Sequence, residues 1–163
     1  MARARPTYLE VTIMLLRPLS GPARDAALAV GRILLGVVLM AHGWQKVFTY
    51  GFAGTTQAMV KMGVPLPPVS AAYASFVELI GGALLILGAL TTVVAVLVVL
   101  DMIGAAVFSG ALATVFAQNG GWELVGMIGV GALLLAAVGA GRFSVDHVLA
   151  GRRTSTTAAR VSA

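Results

Sequence analysis

The 163-residue sequence contains no cysteine, and this absence excludes several kinds of chemistry. Without thiols the chain can form no disulfide, hold no iron–sulfur cluster through thiolates and perform no thiol exchange of its own. Its two histidines, His42 and His147, are expected at opposite sides of the membrane, so they cannot ligate one haem from both faces. A Glu-x-x-His pattern for a dinuclear carboxylate centre is absent too. We therefore expect no intrinsic haem, iron–sulfur cluster or metal site.

Charged residues are also scarce. They make up 10% of the chain, against about a quarter in a typical soluble domain. Hydrophobic residues make up 59%, and the mean hydropathy is +0.96, so the composition is that of a membrane protein. The net charge of +5 does not indicate nucleic-acid binding, because the basic residues cluster near the two termini without interleaved aromatic residues.

Four apolar segments are long enough to cross a bilayer as helices, which takes about 20 residues each. They cover residues 26–48, 69–90, 92–113 and 122–140. Every segment contains glycine, which lets helices approach closely in lipid. The sequence therefore predicts an all-α fold, an integral membrane four-helix bundle without an internal repeat.

Arginine residues predict the orientation of this bundle. Four precede the first span and four follow the last, whereas only Lys46 and Lys61 lie on the other side. By the positive-inside rule both termini are cytoplasmic. We expect a cytoplasmic N-terminal segment (1–25) with a short surface helix over 11–16, a four-span domain (26–148) and a flexible basic tail (149–163).

The connection between the first two spans, residues 49–68, predicts a short interfacial helix on the outer side. Thr55 or Thr56 can cap its start, Gly63 suits its exit, and three prolines stop it. Its apolar side chains suit the membrane interface. The segment is either a lid over the outer mouth of the bundle or an anchor without a gating role.

Ionisable side chains interrupt the spans. His42, Gln45 and Lys46 form one polar stripe in the first span, since residues three or four apart share a helix face. Glu78 and Asp101 each lie nine residues into the next two predicted spans, about 14 Å along the helix, and so at similar depth. Such groups cost about 2.5–3.5 kcal/mol in the hydrocarbon and usually face the bundle interior.

These groups have a functional and a structural interpretation, and the sequence leaves both open. They form a proton-handling site, or they are ion pairs, His42 with Glu78 or Lys46 with Glu123, that fix the helix register. At the cytoplasmic end, Arg32 is placed to pair with Asp146. The segment 139–146 predicts a helix end followed by a new helix start capped near Ser144.

Five groups of residues resemble the DoxX family of small four-span bacterial membrane proteins. They are Arg32-x-x-x-Gly36 with His42-Gly-Trp-Gln-Lys46, Gly54-Thr with Gly63-Val-Pro65, Val77-Glu-Leu-Ile-Gly-Gly82, Asn119-Gly-Gly-Trp-Glu123, and Gly141-Arg-Phe-Ser-Val-Asp146. The resemblance covers roughly residues 31–149. It implies a bacterial plasma-membrane protein that belongs to an oxidoreductase system, with relatives similar to a subunit of thiosulfate:quinone oxidoreductase.

The first functional hypothesis is a quinone (menaquinone) or quinol site in the outer half of the bundle, within a membrane subunit of a redox system. His42, Glu78 and Asp101 are the candidate catalytic residues, because reducing a quinone takes protons as well as electrons. The candidate cofactor-binding residues are Gln45, Lys46, Trp44, Asn119 and Glu123.

Two alternatives accompany this hypothesis. The chain is a non-catalytic scaffold or accessory subunit that recruits or stabilises redox or respiratory enzymes, or it is a proton-coupled small-solute transporter. The expected partners are the lipid bilayer and a protein of a redox or respiratory complex, and a homo-oligomer is compatible with the sequence. Whether the chain is itself an enzyme stays open.

Overall fold

A computed structural model describes residues 18–151 of the chain. Within that range the chain is helical and contains no strand. The helices are α1 (Gly21–Trp44), α2 (Gly51–Lys61), α3 (Pro67–Phe76), α4 (Gly82–Leu87), α5 (Thr91–Phe108), α6 (Glu123–Val138) and α7, which occupies the described residues 145–151. The predicted surface helix over 11–16 and nearly all of the predicted tail lie outside the described residues.

Two π-helical turns interrupt the longest helical runs. Gln45–Thr49 continues α1 at its C-terminal end, and Val77–Gly81 joins α3 to α4. Two short 3-10 turns, Ala111–Ala113 and Ala117–Asn119, lie between α5 and α6. A π-helical turn inserts one extra residue into a helix and frequently marks a functional site.

Three helical runs in the described part of the chain are long and apolar enough to cross a membrane. They are Gly21–Thr49, Pro67–Leu87 and Thr91–Phe108. Helix α6 is apolar but has only 16 residues, a length of about 24 Å. The all-α prediction is confirmed, and each of the four predicted segments contains a helix.

The first span begins at Gly21, earlier than the predicted Ala26. Pro22 lies in its first turn, where a helix tolerates proline because the missing N–H would have no partner there. The third span ends at Phe108, before the predicted residue 113.

The first two spans pack with their backbones in contact. A Cβ atom built on Gly36 would lie 2.6 Å from the carbonyl oxygen of Gly82, and one built on Gly82 would lie 2.7 Å from that of Gly36. One built on Gly43 would overlap the backbone of Leu79. For these two spans the predicted role of glycine in close packing is confirmed.

The predicted interfacial helix is present as α2, but its predicted cap is wrong. Helix α2 begins at Gly51, whose positive φ of 69° lets the chain turn directly after the first π-helical turn. Thr55 lies inside the helix and is buried, and its hydroxyl donates to the carbonyl of Lys46 (2.9 Å). Gly63 follows α2 with a φ of 70°, as its predicted exit role requires. We call the end of the bundle that carries α2 the lid end.

At the opposite end, the hairpin end, Arg32 does not form the predicted ion pair with Asp146. Its guanidinium, which is buried, donates to the carbonyls of Leu85 (2.7 Å), Ile86 (2.9 Å) and Phe143 (2.7 Å). Free carbonyls at the C-terminus of α4 attract a cation, so Arg32 satisfies this helix end instead.

Asp146 satisfies the neighbouring helix end. Its carboxylate accepts from the backbone N–H groups of Leu90 (2.7 Å) and Thr91 (2.9 Å) at the start of α5. Burial acts to raise the pKa of Asp146, but the hydrogen bonds from Thr91 and Leu90 outweigh it, so the pKa lies below its ordinary value. Ser144 accepts from the N–H of His147 (3.2 Å) at the start of α7, as its predicted capping role requires.

Candidate functional site

Lys46 and Glu78 form the one salt bridge found among the described residues. The Lys46 ammonium lies 2.5 Å from Oε2 of Glu78, and the two side chains are 24% and 7% exposed. The two predicted ion pairs, His42 with Glu78 and Lys46 with Glu123, are therefore wrong. In the structure Lys46 and Glu78 bind each other instead. A buried pair of this kind is favourable only when the geometry is good, since both charges lose their water.

Each partner of this salt bridge lies in one of the two π-helical turns. Lys46 belongs to Gln45–Thr49 and Glu78 to Val77–Gly81. Gly43 sets their distance, because it admits the backbone of Leu79, the residue after Glu78, to the surface of α1. The close approach of two backbones thus places a long cation and a carboxylate within hydrogen-bonding distance.

A cavity of about 390 Å³ opens beside the salt bridge, and we call it the carboxylate cavity. Lys46, Glu78 and Asp101 line it together with mostly apolar residues of α2, α3 and α5. Its volume and its lining, apolar with a few polar groups, are typical of small-molecule sites. The predicted convergence of Glu78 and Asp101 is present in the structure.

Asp101 is buried in the wall of this cavity, and its Oδ2 atom has no hydrogen-bond partner. The nearest phenol in the lining does not supply one, because the hydroxyl of Tyr73 donates to the carbonyl of Leu97 (2.7 Å). A buried polar atom without a partner is costly. The carboxyl group of Asp101 therefore lies in the cavity wall without a hydrogen-bond donor for its Oδ2 atom among the described residues.

A second cavity, of about 580 Å³, lies between α1 and α2, and we call it the histidine cavity. His42 and Gln45 line it, together with residues of α2 such as Thr55 and Ala58. Lys46 lines both cavities. The predicted site is thus divided: His42 and Gln45 lie on one side of Lys46, and Glu78 and Asp101 on the other.

Three further candidate residues lie outside both cavities. Trp44 is 55% exposed and packs against Phe48, with ring centroids 4.1 Å apart. Glu123 accepts from the N–H of Ala117 (2.8 Å), and Asn119 belongs to the same 3-10 turn before α6. Their roles in binding a cofactor stay predictions.

Among residues 18–151, no group of three or more histidine and acidic side chains is arranged to hold a metal ion. The sequence interpretation missed the two π-helical turns and the placement of Lys46 between two cavities. A single sequence carries little signal for either feature, because both depend on how α1 and the second span pack.

The fold and the site define an apolar helical protein with a buried lysine–glutamate pair and an acidic cavity between membrane-length helices. Residues 27–111 match the sequence model of the DoxX family. The chain belongs to this family, and the resemblance seen in the sequence is confirmed.

Two relatives of the chain carry the name of inner membrane proteins, and a third is named an oxidoreductase. It is 32% identical over 133 residues to "Inner membrane protein YphA" of Escherichia coli, covering 78% of this chain and 93% of that protein. It is 35% identical over 135 residues to "Inner membrane protein YqjF" of the same organism, covering 77% and 93%. A match of 38% identity over 74 residues, 45% of this chain and 52% of the relative, is to "Putative oxidoreductase CatD" of Bacillus subtilis. No solved structure matches the chain.

Proposed function

We propose that this chain is a membrane subunit of a redox system and that the carboxylate cavity binds the headgroup of a quinone or quinol. The observation that carries the proposal is the unpartnered Oδ2 atom of Asp101, buried beside the Lys46–Glu78 pair in an otherwise apolar cavity. A relative named an oxidoreductase supports the redox class.

The residues divide the chemistry between them. The Lys46 ammonium donates a hydrogen bond to a quinone carbonyl, and a carboxyl group, Asp101 or Glu78, delivers or removes the accompanying proton. Two electrons and two protons convert a quinone to its quinol. A protein partner holding a redox cofactor supplies or accepts the electrons. His42 and Gln45 lie in the other cavity, so we assign them no contact with the headgroup.

The proposal includes a topology. Four spans cross a bacterial plasma membrane, with α6 as a short fourth span and both termini in the cytoplasm. The arginine residues that precede the first span and follow the last in the sequence support this orientation. Local bilayer thinning accommodates the length of α6. The lid end then faces away from the cytoplasm.

Quinone binding by purified variants tests the site. We expect Asp101→Leu and Lys46→Met to weaken binding of a short-chain menaquinone analogue at least about tenfold, a loss of about 1.4 kcal/mol. Titration of the protein's tryptophan fluorescence or calorimetry measures the affinity. Lys61→Met is the control, because Lys61 is an exposed cation that lies outside both cavities.

The second candidate function is the non-catalytic scaffold. The Lys46–Glu78 pair supports it, because an ion pair within the chain is also what a purely stabilising contact between two helices requires. For a scaffold, Lys46→Met would lower the midpoint of thermal unfolding and the recovery of protein partners. Unchanged quinone affinity in both cavity variants would reject the quinone proposal in favour of the scaffold.

A further inference from the structure

We infer that Lys46 is a proton connection between the two cavities, through which the carboxyl groups of the carboxylate cavity exchange protons with the solution at the lid end. The inference rests on the proposed function in one respect: the quinone reaction is what takes up or releases these protons. It assigns a role to the histidine cavity, which the quinone site leaves without one.

The lining of the two cavities is the first observation. Among the ionisable residues of the described chain, Lys46 alone borders both spaces, with His42 on one side and Glu78 and Asp101 on the other. The walls that the cavities share are otherwise Met59 and Met62, whose thioethers do not titrate. A proton that passes between the two cavities through side chains must therefore pass through Lys46.

The exposure of the pair gives this connection a direction. Glu78 is 7% exposed and Lys46 is 24% exposed, so the lysine is the more accessible partner of the pair. In the lining of the carboxylate cavity, the hydroxyl of Tyr73 donates a hydrogen bond to the carbonyl of Leu97 (2.7 Å), so it does not extend the path toward the hairpin end. The exchange therefore runs between Glu78 and the lid end.

The transfer moves one proton and no electron. An N–H bond of the Lys46 ammonium breaks as the Glu78 carboxylate, 2.5 Å away, gains an O–H bond. The neutral amine then takes a proton from a hydronium ion that reaches the histidine cavity from the solution, which leaves a water molecule and restores the ammonium. The reverse order releases a proton. His42, one helical turn before Lys46, faces the same cavity as this water and can hold the proton on its imidazole.

A flexible lysine suits this role because its ammonium rotates about a four-carbon stem. The carbonyl of Lys46 is fixed by the hydroxyl of Thr55, so the backbone stays in place while the side chain moves. The titratable groups that line the two cavities with Lys46 are Glu78, Asp101 and Tyr73 on one side and His42 and Tyr50 on the other.

Carboxyl labelling in proteoliposomes tests the inference without a quinone. Dicyclohexylcarbodiimide reacts with protonated carboxyl groups in apolar surroundings, and mass spectrometry locates the product on the peptides of Glu78 and Asp101. The full-length protein is reconstituted with the lid end outward, as checked by maleimide labelling of Lys61→Cys. We expect labelling to fall severalfold as the external pH is raised at constant internal pH.

Two variants, Lys46→Met and a blocked Ala58→Cys protein, interrupt the connection at different points. Lys46→Met should abolish the response of labelling to external pH. The control Lys61→Met, on the exposed surface of α2, should keep this response. Should Lys46→Met fail to fold, Ala58→Cys keeps the test valid, because Ala58 lines the histidine cavity and the chain has no other cysteine. A bulky maleimide attached to the Ala58→Cys protein should remove the response, and the same reagent attached to the Lys61→Cys protein should not.

A wild-type-like response in Lys46→Met or in the blocked Ala58→Cys protein would overturn the inference, as would labelling that follows the internal pH. Quinone affinity measured on the same preparations separates the two proposals. If labelling responds to the pH at the lid end but no quinone binds, the proton connection is supported and the quinone site is rejected. If quinone binds but labelling does not respond to that pH, the quinone site is supported and the proton connection is rejected.

Discussion

At the residue scale, Gly43 determines whether the candidate site exists. Its missing side chain lets α1 touch the backbone at Leu79, and this contact brings Lys46 and Glu78 to 2.5 Å. The contact also explains why a lysine and a glutamate 32 positions apart can share one partly buried hydrogen bond. A methyl group at this position would have to push apart two backbones.

We expect Gly43→Ala to destabilise the protein by about 1–3 kcal/mol, the usual cost of overpacking. Thermal unfolding in detergent, followed by circular dichroism, measures the loss. Gly31→Ala is the matched control, because it lies on the same helix and a Cβ there would meet no atom within 4 Å. Equal unfolding midpoints for the two variants would contradict the close approach.

At the scale of elements, the hairpin between α4 and α5 is held by side chains from outside it. Arg32 of α1 binds carbonyls at the end of α4, and Asp146 of α7 binds N–H groups at the start of α5. The two residues act as caps on opposite helix ends, where unsatisfied backbone groups would otherwise be buried or left to water. The last described helix therefore stabilises the hairpin between α4 and α5.

The lowered pKa of Asp146 gives this contact a pH dependence. A carboxyl whose pKa is lower in the folded than in the unfolded chain contributes stability above its unfolded value of about 3.9. That contribution is lost as the pH falls through the lower folded value. We expect Asp146→Asn to unfold at a lower temperature than the wild type at neutral pH.

This difference should shrink as the medium is acidified below the ordinary pKa of aspartate, because the wild-type carboxyl then becomes neutral as well. Unfolding midpoints over a pH series measure it. Arg24→Gln, which removes an exposed charge from the same end of the molecule, should show no such convergence. A constant gap between Asp146→Asn and wild type down to the lowest pH would argue against the capping role.

At the scale of the whole molecule, the proposed orientation places the cavities near the non-cytoplasmic surface. Arg24 and Arg142 lie at the hairpin end, opposite α2. Helix α2 covers the histidine cavity with residues such as Ala58 and Met59. The α2 segment therefore covers a cavity, as predicted for a lid, while its gating role stays a prediction.

Single cysteines test this topology directly, because the chain has none of its own. In intact cells we expect a membrane-impermeant maleimide to label Lys61→Cys, and to label Arg142→Cys only after permeabilisation. Both positions are exposed in the structure. Labelling of Arg142→Cys in intact cells would contradict the proposed cytoplasmic placement of the hairpin end.

The sequence by itself determined the class of this protein, its helices and its family. Composition and apolar run length suffice for these because a helix in lipid must satisfy its backbone internally whatever its neighbours are. The same reasoning located Glu78 and Asp101 at one depth, since helical rise is fixed. The family match over residues 27–111 confirms the resemblance carried by the short sequence motifs.

Only the tertiary structure decided which polar groups meet. Arg32 binds carbonyls rather than Asp146, Lys46 binds Glu78 rather than Glu123, and His42 lies in a different cavity from Asp101. These outcomes depend on helix rotation and on the two π-helical turns, which packing sets and hydropathy does not encode. Contacts between helices decide which charged side chains pair, whereas the linear sequence fixes only the depth of each charged residue along its helix.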